Sequence, residues 1–339
     1  MRRNELVRAL LRSADPSVRW RVRVRVLGES RSTPRVQRLE KEVRRSDRVR
    51  RLLSHQHAAV RGGAARSVYH YWQGIHWVLG SLADLGYPPD DPELKPLVDR
   101  ALQLWLRPWY LRTRQVTARS SSVRGTGVPV IRGRARRCAS QQGNALYYVV
   151  KLDSSEARSR LLADLLLRWE WPDGGWNCDM RPEADTSSFM ETLWPMRGLA
   201  AYAERTRDPA ARRGVERAAE VFLERELFRR RSDGLLMKAD FLRLHYPLYW
   251  HYDVLGGLKG MVEAGRVNDP RCSAALDWLE QKELPGGGWA ADGRYYRVSS
   301  TFGQSAEYID WGGTSRRTTN PWVTTDALWV LEAAGRLRT

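Results

Sequence analysis

A turn built from glycine and tryptophan occurs more than once in the chain, and this repetition most strongly constrains the fold. WEWPDGGWNC covers residues 169–178, LPGGGWAADG covers residues 284–293, and a more divergent copy, RRSDGLLMKAD, covers residues 230–240. A turn that recurs at a regular interval is typical of an architecture that uses one supersecondary unit several times. We therefore expect a repeated helical unit in which each copy of the turn returns the chain to the next unit, with its tryptophan packed between neighbouring units.

Signals for helix starts recur at a matching interval. They are Asp15-Pro16, Asp91-Pro92, Asp153 with Ser154, Asp208-Pro209 and Asp269-Pro270. An aspartate at the N-cap accepts hydrogen bonds from unpaired amides of the first turn, and a proline at the first helical position has no N–H to lose. From residue 91 onwards these starts are 55 to 62 residues apart, which predicts one helical hairpin per interval.

Two kinds of helix alternate in this pattern. Helices that are apolar on most faces and end on glycine are predicted to be interior, and helices with one apolar stripe are predicted to be exterior. The interior set is 68–85, 137–152, 186–204, 245–264 and 320–334, and the exterior set is 92–106, 154–169, 209–230 and 270–283. The sequence thus predicts an all-α chain whose five to six hairpins curl into an α/α toroid. An open solenoid is the alternative, and it would need polar caps at both ends.

The N-terminal stretch RWRVRVRV, residues 19–26, alternates arginine and valine as a strand would. However, Asp15-Pro16 precedes it, Gly28 follows it, and Val18, Val22 and Val26 would share one face of a helix. We therefore predict a helix here.

Positive charge is concentrated in two segments. The net charge is +18, residues 1–66 hold nineteen Lys and Arg against six acids, and residues 107–137 hold nine arginines and no acid, so the rest of the chain is close to neutral. The Ser, Gly and Pro content of 107–137 predicts an insertion loop. We expect a basic N-terminal helical region, 1–66, and a toroid, 67–339. The basic region leaves open contact with nucleic acid or with an anionic membrane surface.

The cellular compartment is inferred from the cysteines and the N-terminus. Three widely spaced cysteines argue against a disulfide framework. The first residues become charged again before an apolar core forms, so no signal peptide is predicted. We expect a cytoplasmic protein.

Two of the repeats carry a family resemblance. WPDGGWN followed by DTSSFMETLWPMRGLAAY, and LPGGGWAADG followed by NPWVTTDALWVLEAAGRL, resemble the Gln-Trp type repeats of the squalene-hopene cyclase and protein prenyltransferase β-subunit superfamily, also described as terpenoid cyclase-like. The resemblance covers roughly residues 68–339. It implies a toroid whose inner helices surround a cavity for isoprenoid chains.

The resemblance implies two catalytic solutions, and the chain departs from both. The cyclases protonate their substrate with the central aspartate of an Asp-x-Asp-Asp-Thr-Ala segment. Asp185 matches the last aspartate of that segment, but Ala184 stands at the position of the acid, which leaves Glu183 or Asp185 as substitutes. The prenyltransferases hold zinc with an Asp-x-Cys and a histidine. His251 in HYPLYWHYDVLGGL matches the histidine, but no Asp-x-Cys precedes it, so zinc is a possible cofactor with Cys178, Asp185 and His251 as candidate ligands.

We therefore expect a hydrophobic, terpenoid- or prenyl-like substrate with an anionic head, handled by acid–base or carbocation chemistry, if the chain is an enzyme at all. The predicted acid–base or cation-stabilising residues are Asp185, Glu191, His245, His251 and Asp253. The predicted substrate-binding residues are His76, Trp77, Asn144, Trp194, Tyr249, Tyr252, Trp322 and Asp326. A toroidal lyase or glycosidase acting on an anionic polysaccharide, and a non-catalytic scaffold that binds through its basic N-terminus, are the alternatives.

Overall fold

The fold is mostly helical. The computed structural model describes residues 3–54, 56, 68–116, 125–154, 156–301 and 303–337. Its α-helices are α1 (Arg3–Leu11), α2 (Pro16–Arg21), α3 (Pro34–Arg45), α4 (Asp47–Ser54), α5 (Ile75–Leu85), α6 (Lys95–Trp105), α7 (Pro108–Leu111), α8 (Ser140–Leu152), α9 (Arg158–Trp169), α10 (Phe189–Thr206), α11 (Pro209–Leu223), α12 (Val254–Glu263), α13 (Ser273–Gln281) and α14 (Pro321–Ala333). Residues 57–66 of the predicted N-terminal region lie outside the described residues.

The predicted N-terminal helix is confirmed. Helix α2 runs directly into a π-helical turn, Val22–Val26, so that the alternating Arg-Val stretch is helical throughout. Asp15 caps α2, because its Oδ1 accepts a hydrogen bond from the amide of Ser17 at 2.9 Å. The valines at 18, 22 and 26 are all buried, as expected for one helical face.

The Asp-Pro starts of the exterior helices are also confirmed. Asp91, Asp208 and Asp269 each cap the helical turn that follows, with proline in its first two positions. Asp208 accepts from the amides of both Ala210 (2.7 Å) and Ala211 (3.2 Å). The helical segments that these caps begin are Pro92–Leu94 with α6, α11, and Pro270–Cys272 with α13.

Two predicted interior helices are shorter than the pattern suggested, and one exterior helix ends early. The segment 68–74 is not helical, and α12 begins at Val254 rather than near residue 245. The reason at α12 is the side chain of Asp253, whose Oδ1 accepts from the amide of Gly256 at 2.7 Å and so fixes the first turn there. Helix α11 ends at Leu223, not near residue 230. Helix α9 begins at Arg158 rather than at the predicted Asp153-Ser154 start, because, among the described residues, no side chain caps the helix there.

The prediction that 107–137 is only a loop is wrong. The segment contains α7 and three short strands, β1 (Thr113–Gln115), β2 (Val128–Ile131) and β3 (Arg134–Ala135). Strand β2 pairs in parallel with β1 and antiparallel with β3. The four residues VPVI of β2 are all buried. This burial stabilises the strand, although the Ser, Gly and Pro content of the whole segment is typical of a loop. Residues 117–124 lie outside the described residues, and a further pair of strands, β4 (Arg297–Val298) and β5 (Ala306–Glu307), lies near the C-terminus.

The apolar helices pack against one another in sequence order. Helix α5 packs on α8, α8 on α10, α10 on α12, and α12 on α14; α14 packs on α2 and its π-helical turn, and α2 contacts α5. The backbones of α8 and α10 approach closely, because a Cβ on Gly143 would lie 2.5 Å from the carbonyl carbon of Trp194. The amphipathic helices α6, α9, α11 and α13 contact α5, α8, α10 and α12.

The two clear copies of the glycine-tryptophan turn have the same hydrogen bonds. In the first, the amide of Trp171 donates to the carbonyl of Gly175 at 2.8 Å, and the indole N–H of Trp176 donates to the carbonyl of Leu166 near the end of α9 at 2.9 Å. The amide of Trp176 also donates to the hydroxyl of Thr192 on α10 at 3.2 Å. Each turn therefore ties the end of one amphipathic helix to the start of the next apolar one.

The second copy repeats these bonds at its own positions. The amide of Leu284 donates to the carbonyl of Gly288 at 2.9 Å, and the indole of Trp289 donates to the carbonyl of Leu279 on α13 at 2.7 Å. The amide of Trp289 donates to the hydroxyl of Thr324 on α14 at 3.0 Å. Both tryptophans are buried, so the prediction that they pack between neighbouring units is confirmed.

Within the part of the chain that the structure describes, none of the helices combines the length and the apolar character that a bilayer crossing requires.

Candidate functional site

The apolar helices carry charged side chains that meet in the interior. The Asp326 carboxylate of α14 accepts from Arg21 of α2 and from Nζ of Lys259 of α12, the latter at 2.7 Å. Arg25 lies 3.4 Å from Asp326 and 2.8 Å from Asp84 of α5. The two carboxylates are therefore bridged by guanidinium groups, and we call Arg21, Arg25, Asp84, Lys259 and Asp326 the central charge cluster.

The electrostatics of the central charge cluster keep both carboxylates ionised. Burial raises the pKa of Asp326 and of Asp84, but the nearby cations outweigh burial, so that the pKa of both carboxyls lies below the usual range. Burial lowers the pKa of Lys259. Three cations and two anions share the site, and a buried group of this kind stays charged only while its partners are present.

Arg197 of α10 lies beside this cluster and is held in a similar way. Its guanidinium makes two hydrogen bonds to Glu263 of α12, at 2.6 and 2.9 Å. Its Cζ lies 4.7 Å from the ring centre of Tyr147 and 4.5 Å from that of Trp194. Charge and aromatic faces are thus combined at one place in the interior, which favours cation–π contacts.

A pocket of about 560 Å³ opens between the C-terminal parts of the apolar helices. Its wall is aromatic and aliphatic, with charged side chains among these groups. The lining includes Trp20, Val24, Ala83, Tyr147, Ala200, Ala201, Val262 and Trp329, together with Arg25, Arg31, Lys151 and Arg197 and the acids Glu29, Glu204 and Glu263. We call it the outer pocket. Its volume lies within the range of pockets that bind small organic molecules.

A much smaller cavity lies next to the outer pocket, and Arg197 lines both. We call it the inner cavity. Its volume is about 40 Å³, so it admits a few water molecules and not an isoprenoid chain. Four of the predicted substrate-binding residues line it: Trp77, Asn144, Trp194 and Tyr249.

Tyr249 connects the inner cavity to a buried acid, Glu307, that is absent from the set of residues predicted from the sequence. The phenol hydroxyl donates to Oε2 of Glu307, while Oε1 of Glu307 accepts from the amide of Tyr308 at 2.7 Å. Burial raises the pKa of Glu307 to about 7. The ring of Trp72 stacks on Tyr249 with a centroid separation of 4.2 Å. A carboxyl group that titrates near neutral pH is chemically able to act as an acid or a base.

The histidines of HYPLYWHYDVL lie in a loop, not on an inner helix. The Nδ1 of His245 lies 2.9 Å from Oδ2 of Asp253, and both residues are buried. Burial lowers the pKa of His245, but the charge and hydrogen bond of Asp253 more than compensate, so its pKa is raised. The His251 ring stacks on Tyr295 at a centroid separation of 3.6 Å, and burial lowers its pKa to about 3. His245 and Asp253 thus form a pair, and His251 remains neutral.

His76 and Asn144 are joined in a buried network. The indole N–H of Trp105 donates to Nδ1 of His76 at 3.1 Å, and the amide of Asn144 lies 3.2 Å from Nε2. Because Nδ1 accepts, the proton of the neutral ring belongs on Nε2, and the unpartnered side-chain oxygen of Asn144 accepts it once the amide is turned so that oxygen and nitrogen exchange places. Burial lowers the pKa of His76 to about 3. The network therefore holds a neutral imidazole between helices.

Tyr252 and Trp322 lie in packed parts of the core. The hydroxyl of Tyr252 donates to the carbonyl of Leu227 at 2.7 Å, and its ring packs on three phenylalanines, Phe189, Phe222 and Phe241. Trp322 stacks on Tyr246 with a centroid separation of 5.2 Å. Neither residue lines the outer pocket or the inner cavity.

The two remaining predicted acids, Asp185 and Glu191, lie in different surroundings. Asp185 is exposed in the loop before α10 and accepts from the hydroxyl of Thr186 at 3.0 Å. Glu191, in the first turn of α10, is partly buried and lies beside two cysteines, Cys138 and Cys178. Within the described residues, Cys178 therefore meets Glu191 and Cys138 rather than the predicted partners Asp185 and His251.

Many arginines of the basic N-terminal region are engaged within the protein. Arg3 pairs with Glu283, Arg19 with Glu42 and Arg48 with Asp15, at N–O distances of 2.8 to 2.9 Å. Arg21 and Arg25 belong to the central charge cluster. The formal charge of this region thus overstates what it offers to an anionic partner.

The sequence contains a signal for the central charge cluster in addition to the motifs considered above. Asp84, Lys259 and Asp326 lie in three largely apolar helices, and none of them has another charged residue within three positions. An isolated ionisable residue in each of several buried helices predicts mutual pairing, since a lone buried charge is very costly. Glu307 has no such signal, because only the tertiary contacts of its loop bury it.

Comparison with models of known protein families gives no match, and a search of curated proteins gives no match either. The residues and their geometry therefore carry the functional conclusion.

Proposed function

We propose that the chain is an α/α toroid that binds an amphiphilic ligand, an isoprenoid-like chain with an anionic head, in the outer pocket. The toroid is supported by the order of helix packing. The succession α5, α8, α10, α12, α14 and α2 returns to α5, while the four amphipathic helices lie against its members. The resemblance of the two tryptophan-containing repeats to terpenoid cyclase-like proteins agrees with this arrangement.

The lining of the outer pocket is the observation that carries the proposal. Trp20, Tyr147 and Trp329 supply apolar faces, and the small side chains of α10 leave room between them. Burying a hydrocarbon chain against such faces contributes roughly 25 cal/mol per Å² of apolar surface. The pocket is large enough for such a chain, whereas the inner cavity is not.

Arginine at the pocket supports an anionic head group. Arg31 lines the outer pocket, and its Nε donates to Glu40 at 2.7 Å, while its Nη2 has no hydrogen-bond partner among the described residues. Nη2 itself is buried, so a phosphate or carboxylate oxygen would meet the partly exposed remainder of this guanidinium, which one carboxylate holds in place. Arg25 and Arg197 add positive potential at the inner end, although both are already paired.

The test is isothermal titration calorimetry of the purified full chain with farnesyl diphosphate and with farnesol. The two probes share a chain and differ in charge. We expect both to bind, the diphosphate more tightly. Arg31→Gln should weaken binding of the diphosphate by a factor of about 10 to 100, as expected for loss of a charge-assisted hydrogen bond. The affinity for farnesol should be nearly unchanged.

Two further variants separate chain binding from head-group binding. Ala200→Phe should fill part of the outer pocket and so weaken the binding of both probes. Arg38→Gln, at an exposed arginine of α3 outside the pocket, should change neither, and it is the matched control for charge. Failure of the wild type to bind either probe would refute the proposed function, and equal loss of both probes in Arg31→Gln would refute the role of that arginine.

A further inference from the structure

We propose that Cys138, Cys178 and Glu191 form a binding site for a zinc-type cation that joins the start of α8, the first glycine-tryptophan turn and the start of α10. One ligand atom from each of the three residues lies within 4.8 Å of the other two, and this is the one such group of His, Cys, Asp and Glu side chains found among the described residues. The proposal concerns residues apart from the outer pocket and does not depend on the proposed ligand.

The separation of the donor atoms fits a tetrahedral metal. With zinc–sulfur bonds of about 2.3 Å and zinc–oxygen bonds of about 2.0 Å, two sulfurs lie about 3.8 Å apart, and sulfur and oxygen about 3.5 Å apart. The Sγ of Cys178 lies 3.8 Å from Oε1 of Glu191. A shift of a few tenths of an ångström would bring this pair to ligand distance, and the other two pairs lie within 4.8 Å.

The backbone holds the two cysteines near each other before any metal binds. Arg136 and Asn177 form a parallel β-bridge, and the amide of Arg137 donates to the carbonyl of Asn177 at 3.3 Å. Each cysteine immediately follows one of these paired residues. A fixed backbone pairing of two segments, about forty residues apart in sequence, thus places the two cysteine sulfurs near each other.

Glu191 is fixed in a similar way. Its Oε2 accepts a hydrogen bond from the amide of Ser140, at the start of α8, at 3.0 Å. That bond leaves Oε1 directed towards Cys178. The contact between Trp176 and Thr192 ties the turn that carries Cys178 to the helix that carries Glu191.

Metal binding would displace protons from the group. The donor atoms of Cys138, Cys178 and Glu191 lie close together, and a divalent cation that replaces the protons of both thiols would be held by two thiolates and one carboxylate.

The type of ligand selects the metal and leaves one position open. Two thiolates and one carboxylate favour zinc or a similar borderline-soft ion over magnesium or calcium, which prefer oxygen ligands. Three protein ligands leave a fourth tetrahedral position for water or another small ligand. All three side chains are partly exposed, so this position is within reach of solvent.

The second glycine-tryptophan turn is an internal control for the structural alternative, in which these residues serve packing only. Counted from the turn tryptophan, Cys178 corresponds to Ala291; counted from the threonine that receives the tryptophan amide, Glu191 corresponds to Val323. The same hydrogen-bond framework therefore forms with apolar residues at both positions. Packing alone does not require a thiol and a carboxyl at the first copy.

The test is metal analysis of the full chain by native mass spectrometry, before and after addition of zinc chloride under reducing conditions. We expect one zinc per wild-type chain, released by a chelator. Cys138→Ser, Cys178→Ser and Glu191→Gln should each lower zinc affinity by a factor of ten or more. Cys272→Ser is the matched control, because Cys272 is buried elsewhere in the core, and it should bind zinc as the wild type does.

A second variant keeps the test decisive if a single substitution impairs folding. Cys178→Ala combined with Glu191→Val gives the first turn the residues of the second, so it should fold and bind no zinc. Cobalt binding supplies an independent readout, because cobalt–thiolate charge-transfer absorption should appear in the wild type and be absent from this variant. The proposal is overturned if the wild type binds no zinc, if the double variant binds it equally well, or if Cys138 and Cys178 form a disulfide that persists in reductant.

Discussion

The two glycine-tryptophan turns share one framework but lead into different return segments. Both use an indole N–H to bind the end of an amphipathic helix and a tryptophan amide to bind a threonine on the next apolar helix. After the first turn, a short segment, 177–188, brings Cys178 to Cys138 and Glu191. After the second, a longer segment, 290–320, carries β4, β5 and the buried acid Glu307. The framework is thus constant, and the chemistry differs with the residues placed on it.

The largest expected effect tests the shared framework directly. Trp176→Ala and Trp289→Ala each remove a fully buried indole and leave a helix carbonyl without its donor. Each should lower the free energy of unfolding by about 3–5 kcal/mol, measured by chemical denaturation. Trp250→Ala, at a partly exposed tryptophan, is the control and should cost clearly less. A large loss at only one of the two turns would show that the copies are not equivalent.

The second prediction concerns the pH dependence that Glu307 gives to the second return segment. Its folded-state pKa of about 7 lies above the value of about 4.3 in an unfolded chain. Its contribution to stability is therefore fully present below about pH 4 and is lost as the pH rises through 7. The difference amounts to roughly 3–4 kcal/mol.

Comparison of wild type with Glu307→Gln isolates this effect, because the glutamine cannot ionise. The wild type should lose stability relative to the variant as the pH rises from about 4 to 7, as measured by urea unfolding at each pH. Glu183→Gln, at an exposed acid of the first return segment, should follow the wild type throughout. Parallel curves for wild type and Glu307→Gln would contradict the assignment.

A smaller effect is expected at the glycines of the turns. A Cβ on Gly175 would lie 2.6 Å from Oγ1 of Thr192 and 2.7 Å from Cβ of Ser187, whereas a Cβ on Gly286 would meet nothing within 4 Å. Gly175→Ala should therefore lower the free energy of unfolding by about 1–3 kcal/mol, and Gly286→Ala should be nearly neutral. Thermal unfolding of the two variants side by side checks this, and equal midpoints would refute it.

The smallest effect is expected at the two threonines. Thr192→Val and Thr324→Val keep the shape of the side chain and remove the hydroxyl that accepts from the tryptophan amide. Each should cost about 1–2 kcal/mol, and the two losses should be similar if the framework is shared. Thr206→Val is the control, because this threonine at the end of α10 is exposed and its hydroxyl donates within its own helix. Denaturation of the three variants measures the difference, and unequal losses at residues 192 and 324 would limit the equivalence to the tryptophans.

Local sequence signals predicted the helices well and the loops less well. The Asp-Pro starts and the helix at residues 16–26 are confirmed because caps and apolar periodicity act within a few residues of each other. The predicted helix at 245–253 is wrong because a cap at Asp253 begins α12 later than apolar content suggests. The strands within 107–137 were missed because their stability comes from burial of β2 against distant residues.

The candidate site shows the same limit. Trp77, Asn144, Trp194 and Tyr249, which the sequence predicts to bind substrate, line the inner cavity, which is too small for an isoprenoid chain. The predicted acids Asp185, Glu191 and His245 lie in three different environments, since residues that match one motif in sequence need not share a face. The sequence gives no sign that Cys138 is a partner of Cys178, because forty residues separate them.

The sequence by itself determined the repeated turn, the Asp-Pro helix starts and the burial of the turn tryptophans, because short-range hydrogen bonding and periodic apolar residues specify these features. Only the tertiary structure decided which charges meet and which acid is buried. Asp326 forms an ion pair with Arg21, which is some three hundred residues away in sequence. A β-bridge between the segments that precede Cys138 and Cys178 brings these two cysteines close together. Ion pairing and ligand geometry depend on distances of a few ångströms between side chains remote in sequence, and packing of the whole chain sets those distances.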